Sequence, residues 1–171
     1  NITVNSLKTN NFNLISTGNA TVNSAVNKLN MSVNGTAVYA DSKDLTVEKI
    51  TVGNALTLAV NGSIYANGNT LVEGSTMNIS ASGNIGNANA WLRLRSRVGG
   101  YLNLSAQNYM YVEDLASMNI QSARANAVYL KAAGSINGTS LSSPVIHADT
   151  LGLQAAQVGQ SIQSKLFVNV N

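Results

Sequence analysis

The sequence has no cysteine, and that absence removes disulfides, thiolate metal sites and a thiol nucleophile together. It holds one proline, Pro144, one tryptophan, Trp91, and two phenylalanines in 171 residues, too little aromatic mass for a conventional globular core. Charged side chains make up 10% of the chain and the net charge is +3. No run of like charges exceeds two residues, so the balance is too weak to hold a nucleic acid backbone. Apolar runs such as Leu58-Ala59-Val60 are only a few residues long, so no membrane span is expected, and the start lacks the basic-then-apolar order of a signal peptide. The chain begins at Asn1 without an initiator Met and is read as a fragment or processed product.

What is present is asparagine, 25 of them, with Ala, Val, Leu and Ile spread thinly, two or three apolar side chains at a time. That supply suits an elongated object with a narrow core. Between Ser75 and Gly138 short apolar-polar alternations recur: Met77-Asn78-Ile79-Ser80-Ala81, Leu92-Arg93-Leu94-Arg95, Leu102-Asn103-Leu104-Ser105-Ala106, Met118-Asn119-Ile120-Gln121-Ser122 and Val128-Tyr129-Leu130-Lys131-Ala132. Each reads as a half-buried strand. The markers Ile79, Ile85, Leu94, Leu104, Tyr111, Ile120, Leu130 and Ile136 stand six to ten residues apart. A step of roughly eight is too short for a propeller blade or a leucine-rich unit and points to a β-solenoid or an interwound β-fibre. With three interwound chains and strands ~4.8 Å apart, it predicts about twenty rungs and a shaft on the order of 100 Å.

Three stretches follow: a looser β-structured segment over 1–44, a repetitive β-helical shaft over 45–138, and a C-terminal β segment or connection over 139–171. In the first, Asn34-Gly35 is expected to turn because both residues tolerate positive φ. Asp41 to Glu48 holds the one charge cluster, expected to be a solvated turn or a junction. In the last, Gln154, Gln157, Gln160 and Gln163 at three-residue steps offer a helix over about 149–165. Gly152 and Gly159 inside it cost roughly 1 kcal/mol each relative to Ala, so strands are favoured.

No constellation promises catalysis. Glu113 and Asp114 are strand neighbours pointing to opposite faces, and Asp41 with Asp44 has no expected burial to separate two proton affinities. His147 is the single histidine, expected to be an exposed strand residue, and it would form a metal site only if three copies met on an axis. Neither a Gly-x-Ser-x-Gly elbow nor a phosphate-cradling glycine loop occurs. Arg93, Arg95 and Arg97 emerge on one face of a strand as a candidate contact for an anionic surface, weighed against an outward polar row paired with Glu113, Asp114 or a neighbouring protein. Tyr101, Tyr109 and Tyr111 are weighed as an aromatic sugar platform against residues that cover a narrow core. Asn-x-Ser/Thr triplets at Asn1, Asn19, Asn30, Asn34, Asn61, Asn78, Asn103 and Asn137 follow from composition without implying glycosylation.

Gly74-Ser75-Thr76-Met77-Asn78-Ile79-Ser80-Ala81-Ser82-Gly83-Asn84-Ile85 and Leu102-Asn103-Leu104-Ser105-Ala106-Gln107 resemble the interwound triple β-helices of bacteriophage tail spikes and tail fibres. The resemblance covers roughly 45–138. It implies a virion component outside the cell: a homotrimeric, elongated structural protein of the phage tail, involved in host-cell attachment. Its partners would be its own copies, other tail or baseplate proteins and host surface polysaccharide. The His-x-His motif of iron-tipped phage spikes is absent. The fold expected is all-β, an elongated β-solenoid-like fibre and, in its trimeric form, an intertwined homotrimeric β-helix shaft with short strands. No enzymatic activity, cofactor or metal is expected. The alternative is a bacterial surface adhesin or a monomeric β-solenoid stalk.

Overall fold

The computed structural model describes residues 1–140, 142–159 and 165–171, and among them it has eighteen β-strands and no helix. The first coils hold β1 (Ile2–Ser16), β2 (Ala20–Val33), β3 (Ala37–Asp41), β4 (Leu45–Val52), β5 (Leu56–Val60) and β6 (Ile64–Tyr65). The middle holds β7 (Leu71–Gly74), β8 (Met77–Ala81), β9 (Leu92–Ser96), β10 (Leu102–Ala106) and β11 (Tyr109–Asp114). The rest is β12 (Met118–Arg124), β13 (Ala127–Ala132), β14 (Ser135–Gly138), β15 (Ile146–Ala148), β16 (Thr150–Gln154), β17 (Gln157–Val158) and β18 (Val168–Val170). The strand pairings are parallel, and the chain is a parallel β-solenoid of about nine turns. Parallel sheets need cover for their apolar face. Here the other strands of the same coil supply it, across one continuous core.

Alternation makes that core. On a strand successive side chains point to opposite sides, so Leu102, Leu104 and Ala106 are buried while Asn103 and Ser105 face out. Stacking in register turns these inward positions into ladders. One runs through all nine coils: Val4, Val22, Tyr39, Leu58, Ile79, Leu104, Ala123, Ile146 and Val168. A second is Leu14, Met31, Ile50, Val72, Leu94, Asp114 and Ala132. A third is Leu45, Ile64, Ile85, Met110, Val128 and Leu151. Each fully buried Leu or Ile in them contributes about 1.5–3 kcal/mol.

The recurrent step of eight is therefore the spacing between consecutive strands around a coil, as from β10 to β11 to β12. The residue that stacks on a given position lies a whole coil further on, as Ala20 does on Ile2 and Leu102 on Met77. Nine turns at ~4.8 Å make a stack on the order of 40 Å, well short of the ~100 Å expected if each step of eight were a rung. The stack continues across 44–45, where β2 pairs with both β3 and β4, and across 138–139, where β12 pairs with both β14 and β15. Over 149–165 the described residues form β16 and β17, and the helix is excluded there; Gln160 and Gln163 lie outside the described residues.

Two local expectations need correction. Asn34-Gly35 does form the corner between β2 and β3, yet neither residue has positive φ. Glycine is required there by contact, since a Cβ would stand 2.9 Å from the Gly18 carbonyl oxygen of the coil below. Asp41 is also not part of a solvated turn. It is buried, with its carboxylate accepting hydrogen bonds from the Ser24 hydroxyl (2.9 Å), the Val26 amide (3.1 Å), the Tyr39 hydroxyl (3.2 Å) and the Lys43 amide (3.1 Å). Burial, together with that carboxylate, pushes the Tyr39 hydroxyl well above the ordinary tyrosine value. Four donors on one carboxylate make this a corner clamp.

Candidate functional site

The charged row comes first because the sequence marks it. Arg93 and Arg95 lie on one face of β9, alternating with the inward Leu92 and Leu94, and Arg97 follows the end of the strand. Stacking then sets opposite charges one coil apart. Arg93 is in register with Glu113, and Glu113 with Lys131, giving a +, −, + ladder with N–O distances of 3.6 and 2.9 Å. Arg95 lies above Glu73 and reaches its Oε1 at 2.6 Å. Arg97 donates to the Gly53 carbonyl at 2.5 Å. Two of the three guanidinium groups are thus paired with carboxylates of their own chain, and Arg97 is bound to a carbonyl.

Glu113 and Asp114 face opposite ways, as the strand geometry requires. Asp114 points inward at a position held by Leu94 below and Ala132 above, and it is fully buried. Its carboxylate accepts from the Ser96 hydroxyl and amide and from the Ala116 amide (2.8 Å), so like Asp41 it clamps a corner. Asp44 accepts from the Ser63 amide at 2.7 Å, again one coil on. These acids hold backbone turns, and no two share a site. His147 is partly exposed on β15, its Nε2 3.2 Å from the Pro144 carbonyl oxygen. Among the described residues no cluster of His, Asp and Glu could hold a metal. Several of the Asn-x-Ser/Thr asparagines also join one coil to the next: Asn19 Oδ1 accepts from the Thr36 amide at 2.9 Å, and Asn103 donates to Asn78 at 2.8 Å.

The aromatic residues assemble into something more particular. Tyr109 and Tyr111 alternate with Met110 and Val112 on β11, so their rings face outward over a filled core. One coil on, Tyr129 stacks on Tyr111 with ring centroids 4.4 Å apart and planes 12° from parallel. Tyr109 meets Tyr111 edge-on at 5.7 Å, and Trp91 meets Tyr111 edge-on at 5.2 Å. The next position in register after Tyr129 is Gly152, where a Cβ would come 2.6 Å from the ring. Glycine lets the Tyr129 ring lie over the neighbouring strand. Tyr101 is not in the group; it lies at the corner before β10, where its carbonyl accepts from the Met77 amide of the coil below.

A loop walls this platform. Asn87 closes it, its Oδ1 accepting from the Asn89 amide (2.9 Å) and the Ala90 amide (3.0 Å), and Trp91 Nε1 donates to the Ala88 carbonyl at 3.2 Å. Loop and tyrosines enclose an open cleft of about 560 Å³ with Asn87, Asn89, Tyr109, Tyr111 and Tyr129 in its lining and no charged residue. Partial desolvation, with the adjoining phenols of Tyr129 and Tyr109, holds the Tyr111 hydroxyl above its ordinary range, so it is neutral at physiological pH. Sequence reading finds Tyr109 and Tyr111 but misses Tyr129 and Trp91. Both stand close to one coil from Tyr111 along the chain, Tyr129 after it and Trp91 before it, and that relation becomes visible only when the coil length is known.

No family model, curated protein or solved structure matches this chain.

Proposed function

We propose that the chain is a section of the elongated shaft of a phage tail fibre or tail spike, a non-catalytic virion component that works outside the cell in host attachment as a homotrimer. The observation that carries this reading is the ladder of eight stacked inward side chains from Val4 to Ile146, continued in register by the exposed Val168 of the last coil, which commits the chain to building a rod. An outward row supports lateral association of copies. Thr3, Thr21, Val38, Thr57, Asn78 and Asn103 stack in register, small or neutral throughout, with Val38 42% exposed. The charged side chains of β7, β9, β11 and β13 lie on a different face. Proteins of the tail or baseplate would join its ends, and host polysaccharide would be met on its sides.

One observation favours a monomeric solenoid stalk, as in a bacterial surface adhesin. Each coil closes within a single chain, so no second chain is required to complete the core. Light scattering coupled to size exclusion separates the two. A trimer has three times the 17.8 kDa of one chain, and a particle at 17.8 kDa ends the trimeric reading in favour of the stalk.

A further inference from the structure

We infer that the lateral cleft over β11 and β13 binds a short uncharged saccharide against the ring surfaces that Tyr109, Tyr111 and Tyr129 present to it. The core does not account for these rings. The interior at this level is already filled by Met110, Val112, Val128 and Leu130, all buried, and the tyrosines stand on the opposite side of the sheet. Elsewhere outward positions are mostly Asn, Ser, Thr or charged, so three tyrosines gathered on two adjacent coils break the rule of the exterior. An aromatic face carries negative charge density and attracts the weakly positive C–H edge of another group, which a pyranose ring presents on its flat sides. The same sugar needs hydroxyl partners around its rim. The phenols, each both donor and acceptor, and the Asn87 and Asn89 groups supply them.

Size and rigidity agree. The cleft, about 560 Å³, falls within the roughly 300–1,000 Å³ of small-molecule sites. Its wall is fixed in advance by the Asn87 and Trp91 hydrogen bonds, so little ordering is left to be done on binding. Lack of charge in the lining selects against the other ligand that stacks on tyrosine, a nucleotide, because the flanking cations Arg93 and Lys131 are already paired with Glu113. The inference rests on the attachment reading only in taking the saccharide to be part of a host glycan. Cleft binding by the isolated chain and the assembly mass measured above are separate measurements, so either can fail alone.

Trp91 is the single tryptophan and touches Tyr111, so its emission reports on the cleft. The protein is titrated with maltotriose, cellotriose, tri-N-acetylchitotriose and adenosine monophosphate, following Trp91 fluorescence. We expect a saturable change with at least one trisaccharide at a dissociation constant of about 1 mM or tighter, and none with the nucleotide. Tyr111→Ala should weaken that binding at least about tenfold with the circular dichroism spectrum and melting midpoint kept. Asn89→Ala, on the exposed loop, should weaken it by a smaller factor and serves if Tyr111→Ala does not fold. No saturable change with any of the three sugars, binding of the nucleotide in their place, or sugar binding equally strong in both variants overturns the inference.

Discussion

The coils of this solenoid do not all take the same length of chain, and the difference separates what the core demands from what the exterior is free to add. Ala20 stacks under Ala37, whereas Met77 stacks under Leu102, a distinctly longer stretch of chain for the same rise. Both steps deliver the same thing to the interior: one short strand with alternate side chains buried. The additional residues of the longer coil go outside, into the loop around Asn87 to Ala90 and the turn around Val98 and Gly99. The aromatic cleft sits beside that loop, and among the described residues the short coils carry no such platform. A uniform interior and a variable perimeter let a rod acquire a site without disturbing its stack.

The comparison breaks most sharply if inward and outward positions prove interchangeable. Leu104→Asp places a carboxylate between Ile79 and Ala123 in the nine-coil ladder, and should destabilise the protein by roughly 4 kcal/mol or more. Partial recovery is expected in acid, where the group is neutral. Its neighbour Asn103 faces out and donates to Asn78 and Gln121, each at 2.8 Å, so Asn103→Asp should cost no more than about 1 kcal/mol. Urea denaturation of both variants at neutral and acid pH checks this, and equal losses would mean that the inward face is misassigned.

That contrast is legible in the sequence because strand alternation has a fixed period, and the outward arginine row of β9 is legible for the same reason. Coil length is not. The recurrent step of eight measures strand to strand, and the corners that decide closure vary from a bare Asn-Gly to a loop of several residues. Everything that depends on which residue lies one coil away is therefore hidden: the pairing of Arg93 with Glu113 stands as one option among several, whereas Tyr129 on Tyr111 and Trp91 beside it leave no mark at all. Asp114 is intermediate. Its parity with Met110 and Val112 marks it as inward, but a charged residue at an apolar position reads as an exception until its partners are known.

Those partners give the second prediction. Asp114→Ala strips the Ser96 and Ala116 amides of their acceptor at a buried corner of the long-coil region, and should cost about 2–4 kcal/mol, read from the melting midpoint and urea curves. Asp114→Asn, which keeps an acceptor oxygen, should cost less. If Asp114→Ala is harmless, the buried acid is not a corner clamp.

The smallest effect is expected on the perimeter. Replacing Arg93, Arg95 and Arg97 together by Gln removes pairs whose arginines are substantially exposed, and stability should fall by no more than about 1 kcal/mol. Saccharide binding in the tyrosine cleft should not change. Binding to cells or to an anionic polysaccharide is the sharper readout: the paired arginines should leave it unaltered, while a loss that also abolishes its salt dependence would establish the row as an anionic contact.

The direction of the hydrogen bonds sets how the molecule bears load. Strands lie across the stack, so the bonds between coils run along its length, and its two chain ends belong to the first and last coils. Tension applied at Asn1 and Asn171 falls on one terminal coil at a time and peels it away, instead of shearing a whole sheet at once. Each coil released frees about 17–25 residues, which at about 3.4 Å apiece lengthens the chain by roughly 60–85 Å. Compression, by contrast, presses every ladder together. Such an object is stiff when pushed and yields in steps when pulled.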